Sequence, residues 1–375
     1  MLIFFFICSS VITAFNPVSA SDLVEDSWNT KASINQARSG LGTVEVNGKI
    51  YAIGGHTSSG YVGTNERYDP ATNTWTILAP MPTPRTSFAI VACQDKIYCI
   101  GGIISKGDTM SAFVVNEVYD IATDNWSTKA ALPFDGVAMG QAVNGKIFVI
   151  SYGNALHMYD PTTDVWTTKT SKPVGGYGNI LVAMDSKLLV SFDHDSSISI
   201  GAHPSGFSKQ RMVKVIMIYD TETDTWSEKT TSDQIFESFF AVAGATTGLY
   251  ASQKVYFVGA TSTTVYDPKS DTWSTAKAMP TERKDFAVVV LDDTLYVIGG
   301  EKAHANTFLN FLLQLFRHDT LSVTEQYIPL DYSGTILATP EPFLNRTVIA
   351  TVVLTIIGIV TASSLLFYFK KRKPT

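Results

Sequence analysis

The chain has 375 residues, 45% of them hydrophobic, and a formal net charge of −6. Apolar content on this scale excludes a mainly disordered chain, and the acidic balance excludes nucleic-acid binding, which needs basic surface to displace counterions. The length admits two average domains or one large all-β domain.

At the N-terminus, Leu2 to Phe15 is almost wholly apolar and is followed by Val18-Ser19-Ala20. Fourteen residues are too few to cross a bilayer. A short apolar run closed by small residues has the form of a secretory signal. No Lys or Arg precedes the run, which departs from that form. Residues 1–20 are therefore expected to be a signal peptide cleaved after Ala20.

Six tryptophans then punctuate the chain: Trp28, Trp75, Trp126, Trp166, Trp226 and Trp273. Five follow a Tyr-Asp pair at an offset of seven, at Tyr68-Asp69, Tyr119-Asp120, Tyr159-Asp160, Tyr219-Asp220 and Tyr266-Asp267. Gly-Gly falls 26 residues after Trp28, Trp75 and Trp273, at Gly54-Gly55, Gly101-Gly102 and Gly299-Gly300. In the same register, Tyr152-Gly153 and Phe192-Asp193 lack the full pair. Between these landmarks four short strands are predicted. The first is apolar on both faces, such as Ser87–Cys93. A tight turn (Asn47-Gly48, Asn144-Gly145 or Asp292-Asp293) leads to a second strand that ends at the glycines. The third strand ends in Tyr-Asp, and the fourth carries the Trp. Four antiparallel strands repeating every 40–60 residues is the pattern of a propeller blade.

These landmarks resemble the kelch repeat, and they cover residues 28–300. The sixth third strand is assigned to Thr324-Glu325-Gln326-Tyr327, with Tyr327 in the Tyr position. The chain thus opens on a lone fourth strand at Trp28 and ends on a blade that lacks one. Pairing the two removes two exposed sheet edges. The expected fold is all-β: a six-bladed kelch-type propeller over residues 21–332, with four-stranded antiparallel blades, closed by the N-terminal strand. Cys93 and Cys99 occupy two arms of one hairpin and fall on opposite faces, three residues apart along the ladder. Two free, buried thiols are expected.

At the C-terminus, Val348 to Phe369 contains no charge, and Lys370-Lys371-Arg372-Lys373 follows. At 1.5 Å per residue the run is roughly 33 Å long, enough to cross a hydrocarbon core of about 30 Å. The basic cluster belongs on the cytoplasmic side. Residues 333–346 are expected to be a linker, 347–369 one transmembrane helix, and 370–375 a cytoplasmic tail. The expected location is the cell membrane with the propeller outside. The tail also resembles a lysine-based retrieval signal, which would place the protein in the endoplasmic reticulum of a eukaryote. Asn125-Trp126-Ser127 and Asn345-Arg346-Thr347 are glycosylation triplets. Trp126 is expected to be buried, and Asn345 abuts the bilayer.

Within a blade, the strand 1–2 and 3–4 turns share one face, and these turns are short apart from a lengthened hairpin at 245–253. The other face carries the long connections His56–Thr64, Ile103–Val114, Asp193–Met212 and Glu301–Ser322. Long, varied loops on a rigid scaffold are where recognition usually sits. The candidate binding residues on this face are Arg38, His56, Arg85, Tyr177, Arg283 and Glu301. The three arginines each stand ten residues after a Trp; Gly136, Gly176 and Phe236 fill the other slots. Two readings stay open. The arginines form a guanidinium cluster for a carboxylate or sugar acid, or they are repeat residues bonded to loop carbonyls, as the kelch resemblance implies. His56, His194, His203, His304 and His318 lack the spacing of a metal site, and no cofactor is expected. The apolar 308–316 segment has helical periodicity. It is either packed on the propeller or exposed to a partner.

The expected function is a membrane-anchored extracellular module that binds a surface or secreted protein, or a glycan, without catalysis. The alternative is an exported propeller enzyme acting on sugars, as an oxidase, an epimerase or mutarotase, or a lyase. Kelch copper radical oxidases need a Tyr–Cys crosslink, and both exported cysteines here belong to inner strands.

Overall fold

The computed structural model describes residues 24–106, 109–134, 136, 138–151, 154–174, 177–195, 212–232, 242–302 and 319–333. The expected signal, the linker beyond Ser333, the membrane helix, the tail and the 308–316 segment lie outside these. Among the described residues no helix is long and apolar enough to cross a membrane.

The architecture is six four-stranded antiparallel blades. Blade one comprises Gly42–Val46, Lys49–Ile53, Asn65–Asp69 and Thr74–Leu78, and blade two comprises Ala89–Cys93, Lys96–Ile100, Asn116–Asp120 and Asn125–Lys129. Blade three runs through Ala138–Val143, Lys146–Ser151, Leu156–Asp160 and Val165–Lys169. Tyr177–Met184, Lys187–Asp195, Met212–Asp220 and Thr225–Ser232 make blade four. Val242–Ala245, Val255–Val258, Thr263–Asp267 and Thr272–Ala276 make blade five. Ala287–Leu291, Thr294–Ile298 and Thr324–Ile328 belong to blade six.

The fourth strand of blade six is Ser27–Lys31, paired antiparallel with Thr324–Ile328 so that Trp28 lies opposite Tyr327. The ring is closed by the N-terminal strand. Every Trp also stacks on the Tyr of its own blade, with ring centroids 4.9 to 5.2 Å apart. Aromatic pairs of this kind contribute about 0.5–1.5 kcal/mol beyond area burial.

Local chemistry sets the strand boundaries. Asn47 and Gly48 take φ of 52° and 72°, and Gln94 and Asp95 take 53° and 58°. Left-handed φ at both central residues makes the tight hairpin turn whose twist matches the strands. Gly54 and Gly55 leave strand two at φ 65° and 103°. A Cβ on Gly55 would sit 2.7 Å from the Ser39 carbonyl oxygen, so only glycine fits. Blade four has Phe192-Asp193 at the equivalent exit, and nothing breaks the strand there. Its second and third strands run on for nine residues each, and the ends of the expected Asp193–Met212 loop are strand. Cys93 lies opposite Lys96 and Cys99 opposite Ile90, and both thiols are free and buried.

A clasp joins neighbouring blades. The residue just before each fourth strand has a left-handed φ between 48° and 58°: Asp26, Asn73, Asp124, Asp164, Asp224 and Asp271. Its side-chain oxygen accepts the Tyr hydroxyl of the same blade at 2.6–2.8 Å in all six. Among the described residues, the same oxygen in five blades also accepts a backbone N–H from the preceding blade, donated by Ala32, Ala79, Ala130, Thr170 or Lys277. The Trp two residues on donates its indole N–H to the carbonyl of that same residue, at 2.7–2.9 Å. One backbone residue is thus held on both its N–H and its C=O. This satisfies polar groups where the outer strand of the preceding blade ends.

The clasp carboxylates tie stability to pH. Hydrogen bonds from the Tyr119 and Tyr159 hydroxyls are the main cause holding Asp124 and Asp164 below the ordinary carboxylate value. A depressed folded-state pKa contributes stability that is present above the unfolded value, about 4, and is lost as pH falls through the folded one. The thermal midpoint is expected to be level from pH 7 to 5 and to fall below about pH 4. Asp164→Asn, which copies Asn73, should flatten part of that fall. At pH 7, Asp26→Ala removes two hydrogen bonds and should lower stability by about 1–3 kcal/mol in denaturant unfolding.

Candidate functional site

The inner strands of all six blades line a central channel of about 270 Å³. Its walls are mostly Val, Ala and Ile, with Thr43, Glu45 and Gln141 as the polar exceptions. Glu45 is not free, because it accepts the Gly48 N–H at 2.7 Å. Burial, with a contribution from nearby Asp292, raises its carboxyl above the usual range. The bore thus presents mainly aliphatic side chains and strand backbone, with the Glu45 carboxylate held by a backbone N–H.

Arg38, Arg85 and Arg283 lie beneath the long-loop face, and each is completely buried. Arg38 pairs with Glu66 and donates to the carbonyls of Gln36 and Ala52, each at 2.9 Å. Arg85 pairs with Glu117 and donates to the carbonyls of Thr83, Cys99 and Gly101 at 2.6–2.8 Å. Arg283 pairs with Glu325 at 2.7 Å and donates to the carbonyls of Thr281 and Val297. Burial pulls Arg38 and Arg283 below the ordinary guanidinium value, and the paired carboxylates work the other way. The carboxylates have further partners: Glu66 accepts from Asn35, Glu117 from the Thr83 hydroxyl and Glu325 from the Thr281 hydroxyl. Each pair ties the segment entering strand one to the second and third strands of its blade.

The glutamates are a signal that reading the arginines alone misses. Each stands two residues before the Tyr of the third strand. The blades without the Arg have His157, Met217 and Thr264 there. Arg and Glu occur together or not at all, as expected when a buried charge is tolerated only beside its partner. Repeat-by-repeat comparison would have exposed this pairing.

The Arg-slot backbone joins the blades as well. Gly300 N–H donates to Arg38 O at 3.0 Å, Gly55 N–H to Arg85 O at 2.9 Å, and Gly102 N–H to Gly136 O at 3.2 Å. These bonds link blades six, one, two and three in order on the long-loop face. The second glycine of each exit is what allows this approach.

The remaining candidates are spread around the ring. His56 is half-buried, with Nδ1 3.5 Å from the Ser39 hydroxyl and its ring 5.4 Å from Tyr61. The Glu301 carboxylate holds Lys284 at 3.0 Å, in the short pairing of Arg283–Lys284 with Glu301–Lys302. Tyr177 begins the first strand of blade four opposite Asp193, and its side chain lies outside the described part. Glu301, Arg38, His56 and Arg85 follow one arc over blades six, one and two, while Tyr177 is across the ring. Among the described residues no group of three or more His, Cys, Asp or Glu is placed to hold a metal ion.

Two of the expected loops prove to be hairpins. His56–Thr57 pairs with Gly60–Tyr61, and Ile103–Lys106 pairs with Thr109–Ala112. The Tyr61 hydroxyl accepts the Ser105 N–H at 2.7 Å and fixes one hairpin to the next. Together they form a ledge above blades one and two. Met110 is 66% exposed on it, and Val114, just past the second hairpin, is 36% exposed.

A family model described as Kelch motif matches residues 37–82 and 84–133, which span blades one and two. No curated protein matches the chain. A solved structure titled "Structure of YjhT" is similar at a TM-score of 0.58 and 14% identity, covering 73% of this chain and 93% of that one. At that identity the likeness is one of fold.

The buried pairs make a direct test. Arg85→Met leaves Glu117 buried and unpaired and should cost about 3–5 kcal/mol in denaturant unfolding. Arg85→Met with Glu117→Met should cost less than the sum of the two single changes.

Proposed function

From the premise that the chain is a kelch-repeat β-propeller, we propose that it is a protein-interaction module whose contact surface is the ledge over blades one and two. The ledge carries this reading. It places an exposed methionine on a hairpin tied to its neighbour, with an exposed valine just beyond that hairpin, on the face that bears the long connections. Apolar side chains held in the open on such a base favour a protein partner. Kelch propellers are generally protein-interaction modules.

The module is displayed outside a membrane. The apolar run 347–369 with its basic flank supports the anchor, and residues 2–20 support export. A sugar-modifying enzyme needs free catalytic groups. The guanidinium groups of Arg38, Arg85 and Arg283 are taken up by glutamates and backbone carbonyls. That counts for binding over catalysis.

The full chain in detergent micelles should capture a protein partner from a panel of secreted and surface proteins. Met110→Asp should weaken that capture tenfold or more while leaving the thermal midpoint unchanged. Capture that survives Met110→Asp, or binding to a glycan array with none to proteins, would contradict the reading.

A further inference from the structure

The outer strand of blade two contains a feature that binding does not use. Asn125-Trp126-Ser127 opens the strand Asn125–Lys129, and Asn125 lies opposite Asp120 at the hairpin end. Successive side chains of a strand point to opposite faces. Trp126 turns inward, stacks on Tyr119 at 5.2 Å and donates to Ala79 O at 2.8 Å. Asn125 and Ser127 therefore share the outward face, and both are exposed. Inward packing of the central Trp is what presents the acceptor amide and its hydroxyl together.

The other five blades show how local this feature is. A residue, Trp and then a hydroxyl recurs as Thr74-Trp75-Thr76, Val165-Trp166-Thr167, Thr225-Trp226-Ser227 and Thr272-Trp273-Ser274. Blade six has Asn29 in the hydroxyl position. The hydroxyl thus belongs to the repeat, and the Asn belongs to blade two. Asn125 Nδ2 donates to Thr123 O at 2.6 Å. An amide nitrogen carries two hydrogens, so one can be replaced while the other keeps this bond.

We propose that Asn125 is an N-glycosylation site, a reading that rests on the export proposed above. The donor class is a lipid-linked oligosaccharide diphosphate. The Asn125 Nδ2–C1 bond forms as the sugar C1–O bond to the diphosphate breaks. The lipid diphosphate leaves, and the displaced Nδ2 proton passes to a base of the transferase. No oxidation or reduction is involved. The glycan stands on the rim of blade two by the strand 3–4 turn, at the opposite end of the blade from the ledge. There it covers an outer strand whose far edge has no partner strand, which is the kind of edge that otherwise recruits another chain.

The test is expression of the full chain in a eukaryotic secretory host. The chain carries Asn345→Gln and an added Asn-Gly-Thr tag after residue 21 as an export reporter. Glycosidase release with peptide mass mapping is expected to show Asn125 occupied. Occupancy should vanish in Asn125→Gln and Ser127→Ala and return in Ser127→Thr. An occupied tag with bare Asn125 would overturn the proposal while leaving export intact. A bare tag and bare Asn125 would overturn both. Thr272→Asn builds the same triplet in blade five; its occupation beside a bare Asn125 would show that Trp in the middle position is not the obstacle.

Discussion

The ring depends on a two-point hold between neighbouring blades. A turn residue in left-handed conformation accepts the N–H of one residue that follows the preceding blade's outer strand, and a Trp indole donates to the C=O of that residue. The same oxygen also receives the Tyr hydroxyl of its own blade. A blade is therefore shaped by its Tyr and joined by its Asp and Trp. Closure needs no separate device, because Asp26 and Trp28 of the N-terminal strand hold Lys277 in the same way. Tyr327, more than 300 residues along the chain from Asp26, supplies the hydroxyl. Closing so long a loop costs only slightly more entropy than closing a shorter one, since the cost grows with the logarithm of length.

On the other face the hold differs and is uneven. Arg–Glu pairs sit in blades six, one and two, which are consecutive around the ring. The glycine-to-carbonyl bonds run from blade six to blade three. Burying those charges brings rigidity, since each guanidinium that reaches a strand-two carbonyl and a strand-three glutamate fixes those two strands to the segment entering strand one. The hairpin ledge stands on this sector, with Tyr61 joining its two parts. A contact surface gains from such a base, because little conformational freedom remains to be lost on binding.

Much of this fold is legible in the sequence because its landmarks are repeated. Six Trp residues, the Tyr-Asp pairs and the Gly-Gly exits set blade number, strand order and the closing strand, and Tyr327 can be placed without a following Asp. The clasp residue two before each Trp is less visible. It is Asp in five blades and Asn in one, and its partner lies in another blade. The candidate site is harder still. Arg38, Arg85 and Arg283 look like a cluster when read alone, while Glu66, Glu117 and Glu325 lie 28 to 42 residues further on. The hairpins at residues 56–61 and 103–112 carry no repeated signal, so their sequence reads as loop. Blade four shows a legible signal with an unread consequence: with neither glycine at Phe192-Asp193, its strands continue for nine residues.

Amide hydrogen exchange across Ser27–Lys31 tests the closing hold most directly. Its backbone pairs with Thr324–Ile328, as Thr74–Leu78 pairs with Asn65–Asp69 in blade one. Protection in the N-terminal strand is expected to equal that of Thr74–Leu78. Exchange there at the rate of an unpaired chain, with blades one and two still protected, would contradict a ring closed by its N-terminus.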